Sequence, residues 1–518
     1  MITKIQEPVN RANGLLALLS IILLSIPSIL FSQESDGWLY VAEAPSYTTW
    51  RPNDIVETPN GDVLVAFWDY EKASHILKLS TEGSLLSDQM ITAQDSVVII
   101  SRLFINDNSN EYIALALCRP ESGGTDAIMT LRFDDNLCVI QRNVIACDDL
   151  EQPIFNLCVL KQANDFIIAI TERNYSYHLV KLDFDGDLLE WKNMEIDSLI
   201  HVCNLFEIPG EDGCHFGMYA YTSANNDAKM GVLVFDDSME LLRREYFEPW
   251  QNEEIGGNIC LSYLYDVINS MMIPSPDNSG FLISSRLTES LYTHDFHPIK
   301  NDRSTIIAKT DWDFVMQNDY ELVGHLNDTV EIPAYYKSIA YHAKPAYSKT
   351  IYQCTMQGFE NVSAWPMALS SLGVIVTKVD EDLNVIWKKR FLSKYEFYPF
   401  AITGTYDGGC AITGMVYDDN NERRLDLFVF KIDANGTVGL DEIQEECLAF
   451  VYPNPAKETV NIGGVEAEET VVYNALGQRV MSFRGNEANV ETLADGVYLL
   501  RVTDGKGITH TIRIVVNK

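Results

Sequence analysis

Short apolar runs alternate with acidic turns along most of the chain, and seven of these turns follow one pattern. Each apolar run carries a basic residue near its C-terminal end, and the turn starts two positions after that residue. Apolar runs bounded by Asp, Asn and Gly are typical of β-strands joined by hairpin turns. The first turn positions are Ser80, Asp134, Asp183, Asp236, Asp311, Asp380 and Asp433. The basic positions are Lys78, Arg132, Lys181, Lys309, Lys378 and Lys431, with Val234 in the fourth copy.

The residues of the turn indicate how each hairpin is built. An Asp or Ser at the turn start can accept hydrogen bonds from nearby backbone N–H groups, and Gly, Asn or Asp is expected where the turn needs a positive φ. A second turn lies upstream in most copies, as in Asn60–Phe67 and Asp407–Thr413. Each repeat therefore predicts a four-stranded antiparallel sheet of about 50–60 residues.

This repeat favours an all-β fold, a seven-bladed β-propeller over residues 33–440. A single core usually stops growing at about 250–300 residues, whereas a propeller blade packs only on its neighbours. The stretch Trp38–Glu43 precedes the first repeat. We expect it to join the seventh blade and close the ring, because closure removes exposed strand edges. The alternative is a pair of stacked β-sandwiches, which would not require seven copies of one hairpin.

Residues 1–32 have the features of a secretory signal peptide. Lys4 and Arg11 precede an apolar run at Leu15–Ile26. That run is shorter than the roughly 20 residues that span a bilayer. We expect cleavage after Ser32 and no transmembrane segment in the mature chain. An uncleaved N-terminal anchor is the alternative.

The composition is that of a globular, strongly acidic protein, with 47% hydrophobic residues and a formal net charge of −36. Such a chain can bury a core, which excludes global disorder, and so acidic a surface argues against nucleic acid as a partner. The ten cysteines form no CxxC pair, and most lie in apolar runs, where a free cysteine packs as a small hydrophobe. We find no motif for a catalytic, metal or cofactor site. We therefore expect no cofactor and no metal, assign no catalytic residue, and favour a protein that is not an enzyme.

After an acidic linker at 441–447, residues 448–518 carry four motifs in a fixed order. They are Val451–Ala456, Val471–Val480, Leu493–Val502 and Ile512–Lys518. Together they resemble the type A C-terminal sorting domain of the type IX (Por) secretion system of Bacteroidota. The positions that match the family motifs are Pro453, Asn454, Pro455, Gly477, Gly496, Val497, Tyr498 and Lys518.

The resemblance implies a fold and a destination. Residues 448–518 would form a small Ig-like β-sandwich, and the alternation at Val497, Leu499 and Arg501 is strand-like as well. The signal peptide would take the chain to the periplasm, where the type IX translocon and its sorting and cleavage machinery would recognise this module. The protein would then be secreted or attached to the outer-membrane surface. The alternative is an ordinary Ig-like domain without a sorting role.

The sequence offers one candidate ligand site on the propeller. The stretch Trp50–Phe67 is loosely similar to the opening blade of sialidase-type propellers, in which an arginine holds a substrate carboxylate. That resemblance points to Arg51, and with Trp68 and Asp69 it makes up the candidate binding residues of the first blade, at the axial funnel where inner-strand starts and loops converge. The longest repeats carry extra loops at about 286–304 and 330–366, where we expect the recognition face. The leading hypothesis is a surface module that binds an extracellular glycan or protein. A sialidase-like glycan hydrolase and a structural spacer are the alternatives.

Overall fold

The computed structural model describes residues 37–518 with internal gaps, so the predicted signal peptide at 1–32 lies outside the described residues. The gaps are residues 43–50, 70–72, 107–110, 149, 195–198, 209–214, 225–226, 247–250, 253–256, 262–269, 293–297, 316–320, 324–328, 335, 342–349, 360–370, 393–395, 418–424 and 439–443. In the described part of the chain, no helix is long and apolar enough to cross a membrane.

The regular structure described is all β, as predicted, and the strands follow the repeat. The strands before the predicted linker are β1 (Trp38–Ala42), β2 (Arg51–Glu57), β3 (Val63–Trp68), β4 (Ser74–Leu79), β5 (Leu85–Ile91), β6 (Ser96–Asn106), β7 (Glu111–Pro120), β8 (Ala127–Phe133), β9 (Val139–Ala146), β10 (Ile154–Lys161), β11 (Asp165–Glu172), β12 (Tyr177–Asp183), β13 (Leu188–Met194), β14 (Leu199–Ile208), β15 (His215–Ala224), β16 (Asp227–Phe235), β17 (Leu241–Tyr246), β18 (Gln251–Asn252), β19 (Gly257–Leu261), β20 (Met271–Pro274), β21 (Phe281–Tyr292), β22 (Pro298–Thr310), β23 (Glu321–Val323), β24 (Thr329–Pro333), β25 (Ile339–Tyr341), β26 (Ile351–Phe359), β27 (Ser371–Val379), β28 (Val385–Leu392), β29 (Glu396–Gly404), β30 (Cys410–Tyr417) and β31 (Leu425–Ile432). The remaining strands are β32 (Gln444–Cys447), β33 (Phe450–Tyr452), β34 (Thr459–Gly463), β35 (Ala467–Asn474), β36 (Arg479–Phe483), β37 (Glu487–Asn489), β38 (Gly496–Asp504) and β39 (Thr509–Val516).

Among the described residues 38–447, the strands form seven antiparallel sheets, which we number 1 to 7 along the chain. Sheets 1 to 4 have the strand orders β2-β3-β4-β5, β6-β7-β8-β9, β10-β11-β12-β13 and β14-β15-β16-β17. Sheet 5 contains β18 to β23, and sheet 6 contains β24 to β28 together with β32. In both, the first strand is split into two pieces that pair with one long second strand. Sheet 7 has the order β1-β31-β30-β29.

The sheets succeed one another around a closed circle. The first strands of sheets 1 to 5 pack side by side, in the series β2, β6, β10, β14 and β20. Strand β24 of sheet 6 packs against β22 of sheet 5, and β29 packs against both β25 and β2. The N-terminal β1 pairs with β31, so that Trp38 lies opposite Lys431. The predicted closing strand is therefore confirmed, and the region before the linker is β-propeller-like.

Each turn of the repeat is held by its first residue, as predicted. The Asp134 carboxylate accepts hydrogen bonds from the N–H groups of Asn136 and Cys138, and the equivalent pair of bonds recurs at Asp183, Asp311, Asp380 and Asp433. Ser80 uses its hydroxyl in the same way. An oxygen at this position satisfies two donors that the tight turn would otherwise leave without partners.

The residue with positive φ in these turns differs from the expectation. Gly83, Gly186 and Gly436 fill the position in three copies. The other four copies place Leu137, Met239, Phe314 and Leu383 there, with φ between 56° and 66°. Each of these four side chains is at most 5% exposed. Burial of a large apolar side chain stabilises by about 1.5–3 kcal/mol, which exceeds the roughly 1–2 kcal/mol that the left-handed conformation costs.

The basic residue of the repeat bonds the turn of the next sheet. The Lys78 amine donates to the Asp135 carbonyl oxygen at 2.9 Å and to its carboxylate at 2.6 Å. Corresponding contacts lead from a basic residue to the turn after the third strand of the following sheet. They join Arg132 to Asp185, Lys181 to Asp237, Lys309 to Glu381 and Lys378 to Ala434. In sheet 4, where Val234 replaces the basic residue, Arg243 donates to the Trp312 carbonyl oxygen at 3.4 Å. The basic residue of the repeat therefore joins its own sheet to the next one.

The C-terminal module consists of two further sheets, β33-β34-β37 and β36-β35-β38-β39. One buried apolar cluster spans both sheets, with Val451, Val460, Leu500 and Ile514 among its members. Within the stretch expected to be a linker, β32 pairs with β28 and so lengthens sheet 6 at its outer edge.

Candidate binding site at one end of the ring

Arg51 and Trp68 lie at the same end of sheet 1 because β2 begins where β3 ends. The two residues are directly opposite each other in the β2–β3 pairing. β2 is an inner strand, since it packs beside the first strands of sheets 2 and 7. The structure thus brings Arg51 and Trp68 together near the axis, and Asp69 follows directly after Trp68.

Two aromatic rings from other sheets contact the Arg51 guanidinium. Its central carbon lies 5.2 Å from the centre of the Tyr336 ring and 5.8 Å from that of Phe400. Phe400 belongs to β29, the inner strand of sheet 7. Tyr336 comes from the segment between β24 and β25, within the extra loop predicted at 330–366. This segment bonds sheet 7: the Tyr336 N–H donates to the Phe400 carbonyl oxygen at 2.8 Å.

Lys337 extends from the same segment toward sheet 1. Its amine lies 3.4 Å from the Ile55 carbonyl oxygen and 4.0 Å from the Asp54 carboxylate. Asp54 is only 2% exposed and also accepts a hydrogen bond from the Leu103 N–H at 2.9 Å. Burial lowers the pKa of Lys337 below its ordinary value, and the charge of Asp54 opposes that shift. The inner strands therefore hold a partly desolvated amine beside a buried carboxylate.

A tyrosine–glutamate pair belongs to the aromatic cluster around Phe400. The Tyr398 hydroxyl donates to the Glu396 carboxylate at 2.7 Å. Tyr336, Tyr398 and Tyr417 all pack against the buried group that contains Phe400. Burial and the hydrogen bond to Glu396 raise the pKa of Tyr398 well above its ordinary value. Tyr398 is thus held as a neutral phenol.

Asp69 takes part in a second charged group on sheet 1. His75 has one ring nitrogen 3.1 Å from the Asp88 carboxylate and the other 3.8 Å from that of Asp69. The imidazole stacks on Phe67 with ring centres 4.8 Å apart. Burial lowers the pKa of His75, but the hydrogen bonds to both carboxylates outweigh it and raise the pKa to about 9. At neutral pH the imidazolium therefore bridges Asp69 and Asp88.

Sequence reasoning alone did not assign Lys337, Glu396, Tyr398 or Phe400 to this site. Each is far from Arg51 along the chain, and no spacing links them to the repeat. The one signal was the extra loop predicted at 330–366, which includes Tyr336. The extra loop predicted at 286–304 corresponds to an extension of the β21–β22 hairpin, at the end of sheet 5 that matches the Arg51 end of sheet 1.

The motif residues of the C-terminal module hold its chain ends together. Asn454, between Pro453 and Pro455, accepts a hydrogen bond from the Val515 N–H at 2.8 Å. Gly496, Val497 and Tyr498 start β38, and the Tyr498 hydroxyl donates to the Ala494 carbonyl oxygen at 2.8 Å. Gly477 takes a φ of 72° in the β35–β36 turn, and the Lys518 N–H donates to the Asp495 carboxylate at 3.1 Å.

Comparison with known proteins identifies this module. Residues 450–517 match the family described as the secretion system C-terminal sorting domain. An ulvan lyase of Nonlabens ulvanivorans is 24% identical over 107 residues, which are 19% of this chain and 18% of that protein. The chain therefore spans about a fifth of the length of this curated relative.

Several solved structures are similar to the chain at low sequence identity. The β-propeller domain of the Trilobed protease from Pyrococcus furiosus is 9% identical, with 75% of this chain and 96% of that chain covered and a TM-score of 0.39. The WD40 domain of SCAP from fission yeast is 11% identical, with coverages of 84% and 82% and a TM-score of 0.29. The propeller-like architecture described here follows from the strand pairing of the chain itself.

The predicted sorting domain is thus confirmed by the family match at 450–517. A type IX sorting tail implies an interaction with the type IX secretion machinery. The chain is a secreted or surface-attached protein whose C-terminal sorting domain follows a β-propeller-like region.

Proposed function

We propose that this chain is an exported seven-bladed β-propeller, with sheets 1 to 7 as its blades, that binds an acidic extracellular glycan at the Arg51 end of the ring. The observation that supports the proposal best is the grouping of Arg51 of sheet 1, Phe400 of sheet 7 and Tyr336 of the segment between β24 and β25. A planar guanidinium suits a carboxylate or sulfate group, and the partly exposed Tyr336 ring suits the apolar face of a sugar ring, whereas Phe400 is only 4% exposed.

The site contains positively charged side chains although the chain as a whole is strongly negative. The formal net charge is −36, yet Arg51 and Lys337 both lie near the axis. At physiological salt the Debye length is about 8 Å, so the charges of distant surface carboxylates are largely screened at this site. An anionic sugar can therefore bind here despite the acidic surface.

The similarity to the ulvan lyase is compatible with a glycan ligand. That relative is named for ulvan, and the shared stretch is only 107 residues long. It supports a glycan as the ligand class and carries no assignment of catalytic residues.

A glycan array with the full mature chain tests the binding proposal, with uronate, sulfated and neutral glycans as separate arms. We expect binding to acidic glycans to fall about 10- to 100-fold in the Arg51→Ala variant, because a charge-assisted hydrogen bond contributes about 1.5–3 kcal/mol. Arg142→Ala on the exposed strand β9 is the matched control and should change nothing. Equal binding by both variants, or binding of neutral glycans alone, would rule out this site.

A sialidase-like glycan hydrolase is the second candidate, because the Tyr398–Glu396 hydrogen bond joins the cluster that contacts Arg51. The raised pKa of Tyr398 argues against a tyrosine nucleophile at neutral pH. A panel of fluorogenic glycosides decides between the two: turnover that is lost in Tyr398→Phe would establish the hydrolase. Binding without turnover would support the module proposal.

We further propose export through the periplasm by a cleaved signal peptide at 1–32, with residues 448–518 as an Ig-like sorting module. Deleting 448–518 should trap the remaining chain in the periplasm of a competent host. A reporter with a signal peptide and residues 448–518 at its C-terminus should reach the cell surface. Surface delivery of the truncated chain would contradict the sorting role.

A further inference from the structure

The outer edge of sheet 6 is covered by the chain's own linker. In sheets 1 to 4 the fourth strand is the last strand of the described sheet. In sheet 6, β32 pairs antiparallel with the corresponding strand β28, so that Cys447 lies opposite Lys389 and Gln444 opposite Leu392. The Leu448 N–H extends the pairing by donating to the Lys388 carbonyl oxygen at 3.1 Å. An edge strand offers a row of backbone donors and acceptors, and here the linker takes them up.

The covered edge is the most basic segment of the sequence. Lys388, Lys389 and Arg390 form the only run of three consecutive basic residues in the chain. The strand that covers it, β32, contains two acidic residues, Glu445 and Glu446. The register sets Glu446 opposite Arg390. Opposite charges facing each other across two strands stabilise their pairing, so the edge and its cover are complementary in charge.

The cover is short and is anchored at its C-terminal end. β32 has four residues, and Phe450 follows shortly after it. Phe450 is 8% exposed and packs with Leu383 and Val385 of the β27–β28 hairpin. Four residues of edge pairing are far less stable than an inner strand, so the cover can open while the sheet remains intact.

We propose that the outer edge of β28 is an acceptor site for an extended acidic segment of a partner protein, and that the linker strand β32 occupies this site in cis. The partner segment would add to sheet 6 as β32 does, with backbone hydrogen bonds for affinity and a carboxylate opposite Arg390 for selectivity. The Lys389 amine instead donates to the Gly436 carbonyl oxygen of sheet 7 at 2.8 Å, and Lys388 is only 7% exposed. Displacement of the linker opens the site. This interaction is separate from the glycan site at the Arg51 end.

The test uses the full chain and a fluorescein-labelled peptide with the sequence of residues 440–448, with serine in place of Cys447. Because the Leu448 N–H points at β28, the alternation of an antiparallel pair points the Glu446 N–H at β28 and the Glu445 N–H away. Glu446→Pro therefore removes a pairing donor and opens the site, whereas Glu445→Pro is the matched control. Fluorescence anisotropy should show at least tenfold tighter peptide binding to Glu446→Pro than to the wild type or the control.

Three results would overturn the proposal. In the first, the Glu446→Pro variant does not bind the peptide. In the second, it binds a peptide with Gln and Asn at the acidic positions equally well. In the third, peptide binding persists when Arg390→Glu is added to this variant. If Glu446→Pro lowers the melting temperature of the whole chain, the charge-reversal variant Glu445→Lys/Glu446→Lys replaces it. The same outcomes then decide, because that variant weakens the cover without a backbone change.

Discussion

Lys78 is the most informative residue at which to test the bonds between neighbouring sheets. Its side-chain amine contacts the Asp135 carboxylate at 2.6 Å, the Tyr112 hydroxyl at 3.3 Å and the Asp62 carboxylate at 3.4 Å, and the residue is 5% exposed. Lys78→Met keeps most of the apolar stem and removes the charge. It leaves the Asp135 carbonyl oxygen and two carboxylates without this cation.

The expected cost is large because the pair is buried on the lysine side. Breaking a buried ion pair by removing one partner costs about 3–5 kcal/mol, and the partial exposure of Asp135 places this case near the lower end. The matched control is Lys192→Met, which also removes a lysine that bonds the next sheet. The partner of Lys192 is Glu240, whose side chain is 70% exposed. An exposed pair contributes about 0–1 kcal/mol.

Native-state hydrogen exchange measures the difference locally. A loss of about 3 kcal/mol corresponds to roughly 150-fold faster exchange for the protected amides of β4, β7 and β8. Lys192→Met should change exchange in β12 and β16 by less than about fivefold. Equal effects of the two substitutions would refute the claim that the basic residue of the repeat holds neighbouring sheets together.

The pH dependence of this effect has a definite sign. Burial lowers the pKa of Lys78, but its hydrogen bonds to Asp135 and Tyr112 outweigh that and raise it. Stability from a raised lysine pKa is lost only as pH rises above about 10.4. The hydrogen bond from Lys78 lowers the pKa of Asp135, and that contribution is lost as pH falls below about 4. The difference between wild type and Lys78→Met should therefore be constant from pH 5 to 9 and shrink in acid, as urea titrations at several pH values can check.

Three further predictions concern other parts of the ring. Leu137→Gly relieves the strain of positive φ but empties a fully buried site, so we expect a net loss of about 2 kcal/mol in urea unfolding; a gain in stability would contradict the account of these turns. Asp88→Asn should lower the pKa of His75 from about 9 toward 6.5 in an NMR titration, and the stability from His75, present below pH 6.5, should then be lost at lower pH than in the wild type. Trp38→Phe removes the 2.8 Å hydrogen bond to the Thr81 carbonyl oxygen and should cost about 1 kcal/mol, with β1 and β31 the first strands to exchange faster.

The repeated hairpin could be predicted from the sequence because its chemistry is local. An Asp at the turn start bonds backbone groups two and four residues later, so the signal lies within a few neighbouring positions. The basic residue two positions earlier was equally visible. The partner of this residue in the next sheet could not be predicted, because only the packing of neighbouring sheets brings Lys78 and Asp135 together. Leu137 and Leu383 at positive φ were missed because tertiary burial overrides the local preference for glycine.

The candidate site was predicted only in part for the same reason. Arg51 and Trp68 belong to one hairpin, and their proximity follows from strand pairing. Tyr336 and Phe400 reach Arg51 through a segment that leaves sheet 6 and bonds sheet 7. An irregular connecting segment of this kind shows no sequence periodicity from which its position could be predicted. The strand β32 was likewise hidden, because the acidic linker shows no apolar alternation, and it is the edge of β28 that makes it a strand.

The pairing of β1 with β31 has a consequence for the order in which this protein acquires its shape. Trp38 and Lys431 are paired although almost the whole propeller-like region separates them in sequence. Closing so long a loop of unfolded chain costs about 5 kcal/mol of conformational entropy. That cost falls once the intervening sheets have formed, because each shortens the path between the two ends. We therefore expect the segment that leaves the ribosome early to be among the last to find its place. Until β1 pairs with β31, the edge of β31 lacks this partner, and we expect the chain to be most exposed to proteases and to self-association during that interval.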